Sequence, residues 1–246
     1  MWEGVCCSAT RSACLIKVPG VARILVRHGR AILIDADPAA GSGRIGTFIA
    51  DAALGAALFQ RGMLVLRGSA IDTPEGAVLI LGPAASGKSV TAGALIQQGR
   101  RLIADGLIAV ALDGNQAKVQ PGWPSLRLWQ GPAGALGLGL EGGAQCPGTE
   151  RFAFSVPGVE CAKPVAAIFH IDPVDVRGAA IEPVPGMTRM RLLSVSRHAT
   201  SYLGDLPGAD GVAMFALAKL PAFRLRAKIP GDAKALAALV EARLAA

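Results

Sequence analysis

No stretch of this chain approaches the roughly 18 consecutive apolar residues of a membrane-spanning helix, although 52% of its 246 residues are hydrophobic. The most promising run, Val212–Phe223, is broken by Lys219 and Pro221. The N-terminus lacks the basic-then-apolar pattern of a secretion signal. Five cysteines, at 6, 7, 14, 146 and 161, form no Cys-x-x-Cys pair, and His28, His170 and His198 stand apart, so no zinc-ligand spacing is present. No Gly-x-Ser-x-Gly or Ser/His/Asp arrangement suggests a hydrolase. Nor do aromatic and basic residues alternate as in a nucleic-acid surface. Together these absences predict a soluble cytoplasmic protein with neither membrane nor nucleic-acid partner.

One motif stands out from what remains. Gly82-Pro83-Ala84-Ala85-Ser86-Gly87-Lys88-Ser89 reads G-x-x-x-x-G-K-S. Ahead of it lies the uniformly apolar Ala77–Leu81, the pattern of a strand buried on both faces. Behind it, Val90, Ala94 and Leu95 fall on one side of a helix. In a strand–loop–helix of this kind the glycines let backbone N–H groups turn onto phosphates. Lys88 supplies a cation to the outer phosphates, and the Ser89 hydroxyl reaches Mg²⁺. The chain is therefore expected to bind ATP or another nucleoside triphosphate with Mg²⁺, through Gly82–Ser89 and the adjoining Val90.

The length allows one large domain, or a main domain with an accessory unit. Residues 1–62 read as a small β-rich unit with strands at Leu15–Val18, Ala22–Val26 and Ala31–Asp35 and a helix from about Gly46 to Gln60. Residues 63–246 read as an α/β domain with a mixed sheet flanked by helices. Met63–Ile71 should pair antiparallel with Ala77–Leu81, because five residues cannot make a parallel crossover. After the helix, Leu102–Ala104 reads as a short strand closing with Asp105, which the βαβ crossover sets beside the glycine loop. There a carboxylate can meet Mg²⁺ or a nucleophile. Leu107–Leu112 and Ala117–Gln120 read as a hairpin, and Pro121–Trp129 as a turn with an amphipathic piece. Gly131–Thr149 reads as a flexible loop, and Phe152–Val156 and Ala166–Ile171 as strands. The last sixty residues read as mainly helical, at Met187–Leu203, Asp210–Leu220 and Ala233–Leu244.

Two other features carry less. Gly41–Gly46 fits G-x-G-x-x-G but follows its strand at a distance and has no acid about twenty residues on, so it reads as loop glycine rather than a dinucleotide site. The net charge of +7 is concentrated at Arg189, Arg191, Arg197, Lys219, Arg224, Arg226 and Lys228. That stretch can either face an anionic partner or form solvated helix faces.

Leu66–Ala70, Leu79–Ser89 and Arg101–Asp105 together resemble the C-terminal catalytic domain of HPr kinase/phosphorylase and its smaller bacterial relatives, some of which are encoded with lasso-peptide enzymes and phosphorylate the precursor peptide. Pro121–Trp129 and Arg151-Phe152 also look like segments of these proteins. The resemblance implies a P-loop kinase fold akin to phosphoenolpyruvate carboxykinase. It further implies transfer from ATP, with Mg²⁺, to a serine of a peptide or small protein, with Lys88 and Asp105 catalytic and Ser89 and Asp105 on the metal. The family usually has histidine where Arg67 stands and a second aspartate where Gly106 stands. Arg67 is not a base at neutral pH but can contact phosphate or hold Asp105 ionised, and Asp72 is a substitute acid. The rival readings are a nucleotide-binding regulatory or scaffold protein without turnover, and a small-molecule kinase. Monomer and homo-oligomer both remain open.

Overall fold

The computed structural model describes residues 5–147, 149–174, 178–198, 210–228 and 233–245. Strands β1 (Cys6–Ala9), β2 (Ala13–Val18), β3 (Ala22–Arg27) and β4 (Ala31–Ala36) form an antiparallel sheet in that order. Three of these were expected; β1 was not. The helix that follows starts earlier than predicted, as α1 (Ser42–Phe48), widens to a π-helical turn at Ile49–Ala53 and continues as α2 (Leu54–Gln60). Most of the Gly41–Gly46 segment is thus helix rather than loop. Its apolar face packs on β2 and β3: Cys14, Ile16, Ile24, Val26, Phe48, Ala53 and Ala56 make one buried cluster.

Strands β5 (Leu64–Thr73) and β6 (Gly76–Leu81) pair antiparallel, as their short connection required. Every residue of β6 is buried. Next come α3 (Lys88–Gln97), β7 (Arg101–Asp113), β8 (Gln116–Val119), β9 (Ser125–Trp129), α4 (Gln130–Ala135), β10 (Ala144–Gln145), β11 (Arg151–Ser155) and β12 (Lys163–Pro173). The chain then runs through β13 (Ala180–Pro183), α5 (Gly186–Val195), α6 (Asp210–Ala218), β14 (Ala222–Ala227) and α7 (Ala233–Leu244). The molecule is mixed α/β. A seven-stranded mixed sheet has the order β13-β14-β12-β6-β5-β7-β8, and a small sheet has the order β10-β11-β9. Strand β12 runs parallel to both β6 and β14. One face of the large sheet buries Leu66, Leu79 and Leu81 with Leu193, Met214 and Leu217 of α5 and α6. The other buries Ile71, Val78, Ile80 and Phe169 with Leu95 of α3 and Leu236 and Val240 of α7.

Three expectations change here. The strand predicted to close at Asp105 runs unbroken to Asp113, because Gly106 adopts a φ of 87° that lets the chain pass through without stopping. The Gly131–Thr149 stretch holds α4, a 3₁₀ turn at Leu140–Gly142 and β10. Among the described residues the last sixty are mainly helical, as expected, with α5, α6 and α7 at the three expected places, but they also hold β14, which with β13 completes one edge of the large sheet. In β14, Phe223 and Leu225 are buried while Arg224 and Arg226 are less so, a period of two rather than 3.6. Helix α5 ends at Val195; residues 199–203 of the longer helix expected there lie outside the described residues.

Candidate functional site

The Gly82–Ser89 loop leaves the buried end of β6 and turns sharply into α3. Three of its residues hold left-handed backbone, Gly82 at φ 142°, Ala85 at 59° and Gly87 at 88°. At Gly82 a side chain is excluded by space as well, since a Cβ would stand 2.7 Å from the Ile171 carbonyl oxygen and 2.8 Å from Ser86 Oγ. Helix α3 opens at Gly87 with no side-chain cap, and its first internal bond runs from Thr91 N–H to the Gly87 carbonyl. The amides of Lys88, Ser89 and Val90 therefore have no partner within the helix and face the loop at the positive end of the helix dipole. This arrangement fits an anion with several oxygens.

Lys88 bends back so that Nζ donates to the Pro83 carbonyl. Burial pulls its ammonium down to about 8, with Asp105 supporting the charged form and Arg67 and Arg151 weakening it. Lysine, aspartate and two arginines thus share one field.

Asp105 is where the sequence placed it, beside the loop, but for a different reason. Between β5 and β7 the register shifts: Ala70 opposes Ala104 while Ile71 opposes Leu102, leaving Ile103 as an extra residue. Without that bulge, alternation would send Asp105 to the face opposite Leu102; with it, both reach the α3 face. There Asp105 Oδ1 accepts from Ser69 Oγ at 2.6 Å and from Ser89 Oγ at 2.8 Å. Its Oδ2 accepts from the Arg127 amide at 3.3 Å. Ser69, opposite Asp105 on β5, is fully buried. A hydroxyl and a carboxylate converging from helix and strand are the hard oxygen donors that Mg²⁺ prefers, so the donor set fits that ion.

Arg67 lies two residues from Ser69 on the same strand face, yet its guanidinium does not hold Asp105. Its Nη2 bonds Asp51 Oδ2 at 3.0 Å. Asp51 belongs to the π-helical turn, a feature that often marks functional positions, and its Oδ1 is 3.9 Å from Nδ1 of the buried His198. Burial, with Arg67 adding to it, pushes His198 down to about 4. Asp72 is no substitute acid for this site: it pairs with Lys163 at 3.1 Å and sits opposite Ala77, at the far end of the sheet from the loop.

Four residues that the fold brings here have no role legible in the sequence alone: Ser69, Asp51, Arg127 and Arg151. The Leu126-Arg127-Leu128 alternation signals that Arg127 points away from the core; nothing local signals Asp51. By contrast, the basic stretch of the last third is largely paired within the molecule. Arg189 bonds the Val184 and Leu220 carbonyls, Arg197 bonds Asp210, and Arg226 bonds Glu182.

No family model matches the chain, and no curated protein does. The solved structure of the Hpr(Ser) kinase/phosphatase from Coxiella burnetii is similar over 74% of this chain and 96% of that one, at 14% identity and a TM-score of 0.39. At that level the likeness transfers no activity. Among the described residues no helix is long and apolar enough to cross a membrane, and no group of three or more His, Cys, Asp or Glu side chains gathers as a metal site.

Proposed function

We propose that this chain is a P-loop kinase of the HPr kinase-like type, which uses ATP and Mg²⁺ to phosphorylate a serine of a peptide or small protein in the cytoplasm. Residues 63–246 carry the activity, with residues 1–62 as an accessory unit. The reading rests chiefly on one observation, the 2.8 Å bond between Ser89 at the mouth of the glycine loop and Asp105 on the bulged strand.

The loop amides and Lys88 hold the β- and γ-phosphates of ATP. Ser89 and Asp105 hold Mg²⁺, which neutralises charge on the phosphates when bound. The acceptor hydroxyl gives its proton to Asp105 as its oxygen bonds the γ-phosphorus. The bond from that phosphorus to the bridging oxygen breaks, and ADP leaves with the electron pair. Buried Ser69 holds the carboxylate in place by its 2.6 Å bond. Arg67, reaching Asp51 rather than Asp105, is suited to contact phosphate rather than to act as a base.

A second reading, a nucleotide-binding scaffold without turnover, is favoured by the same pair of departures: Arg67 is engaged by Asp51, and Gly106 brings no second acid. Incubation with γ-labelled ATP, Mg²⁺ and serine peptides, beside Lys88→Ala and Asp105→Asn, separates the readings. Label on serine that depends on both residues supports the kinase. Nucleotide binding without transfer supports the scaffold, and label on metabolites alone supports a small-molecule kinase.

A further inference from the structure

Arg127 and Arg151 stand on one face of the β9–β11 pair. Register sets Arg127 opposite Ala153 and Trp129 opposite Arg151, so all four side chains share that face, while Leu126, Leu128 and Phe154 on the other are buried. Arg127 reaches the site at close quarters. Its backbone amide bonds Asp105, and its guanidinium lies over Gly106, where a Cβ would come within 2.6 Å of Nη2. The residue after Asp105 thus has no side chain, and a cation occupies the space that one would take. Arg151 is stacked on Trp129, Cζ 5.2 Å from the ring centroid, and its charge is felt at Lys88. Among the described residues neither guanidinium has a carboxylate partner, whereas Arg67 has Asp51.

Arg127 beside Asp105 and Arg151 near Lys88 add two cations to what a phosphate cradle with its own lysine and helix N-terminus calls for. Arg127 meets Asp105 from β9 while Ser89 meets it from α3, so the carboxylate that takes the acceptor's proton in the reading above has a cation on its β9 side. A cationic shelf of this kind discriminates between partners through charge complementarity. The partly exposed Trp129 adds an apolar platform for a peptide backbone or side chain.

We propose that Arg127 and Arg151, with Trp129 beneath Arg151, form the acceptor subsite, and that the acceptor is an acidic peptide segment with Asp or Glu next to the phosphorylated serine. The proposal rests on the kinase reading above for its serine, but its test does not depend on turnover. Fluorescein-labelled twelve-residue peptides with one serine flanked by Asp and Glu, by Asn and Gln, or by Lys are titrated by anisotropy against the protein with a non-hydrolysable ATP analogue and Mg²⁺. The acidic peptide is expected to bind about tenfold more tightly than the neutral one and the basic peptide least, with the preference shrinking as salt rises past ~0.3 M. In Arg127→Gln and in Arg151→Gln, folding being checked by circular dichroism, the acidic preference falls to about twofold or less, and peptide affinity drops by more than nucleotide affinity does. Equal binding of the three peptides, no binding of any, or variants that weaken only the nucleotide would overturn the subsite. Acidic preference without phosphotransfer would leave the subsite and sink the kinase; phosphotransfer blind to peptide charge would do the reverse.

Discussion

The Ser89 hydroxyl donates to Asp105 across 2.8 Å, joining the first turn of a helix to the strand that follows it. A 13-residue strand has six or seven side chains on each face, and only the extra residue Ile103 turns this one toward the loop. Ser69 completes the arrangement from the neighbouring strand.

Ser69 is fully buried and donates to a carboxylate, and a hydrogen bond of that kind contributes about 1.5–3 kcal/mol. Ser69→Ala should lower the unfolding free energy by about that amount, read from urea titration. A loss below ~0.5 kcal/mol, within the range of surface substitutions, would show that Asp105 does not depend on it.

Gly82 has a left-handed backbone and no room for a Cβ. Gly82→Ala should cost about 1–3 kcal/mol of stability. Because the loop itself must distort, nucleotide affinity should fall at least about tenfold. Calorimetric titration and thermal unfolding on one sample measure both; unchanged affinity in a destabilised protein would mean that the loop backbone does not touch the ligand.

Lys88 ionises near 8 in the folded chain against an ordinary 10.5, mainly through burial. Between those values the unfolded chain binds more protons, so this residue makes stability rise with pH across that window. Without nucleotide, Lys88→Met should melt above the parent at pH 7, and the gap should close as pH climbs from 8 to 10.5. A gap that stays constant would show that the ammonium is not desolvated.

His198 acts with the same sign in an acidic window. Its folded value near 4 lies below the ordinary 6.5, because burial and Arg67 disfavour the cation. The stability it supports is complete above 6.5 and is lost as pH falls through 4. His198→Asn should show a shallower loss of melting temperature over that range, and a slope identical to the parent would exclude a buried neutral imidazole.

Local features were legible in the chain. The glycine loop is eight consecutive residues, and Ala77–Leu81 is apolar without interruption, so neither needed knowledge of what packs nearby. Asp105 was found by its place after the crossover, yet its orientation was hidden, because a bulge is a property of two paired strands rather than of one. Strand β14 was hidden by its arginines: Arg224 and Arg226 joined a basic run that looked like a solvated face, although one pairs with Glu182 and the other lies 3.9 Å from Asp172. The Arg67–Asp51 contact spans two supersecondary units and has no sequence signature. That contact also changes the chemistry, since an arginine held by Asp51 leaves Asp105 with hydroxyl and amide donors alone.

We propose that the Gly82–Ser89 loop and Asp105 together bind a nucleoside triphosphate with its metal. Calorimetric titration of the purified protein with ATP tests it most directly, with and without Mg²⁺ and beside Lys88→Ala and Asp105→Asn. Saturable one-site binding strengthened by Mg²⁺ is expected, at least about tenfold weaker in Lys88→Ala, and with the Mg²⁺ dependence lost in Asp105→Asn. No heat of binding in the parent, or equal affinity and equal Mg²⁺ dependence in all three proteins, would contradict it.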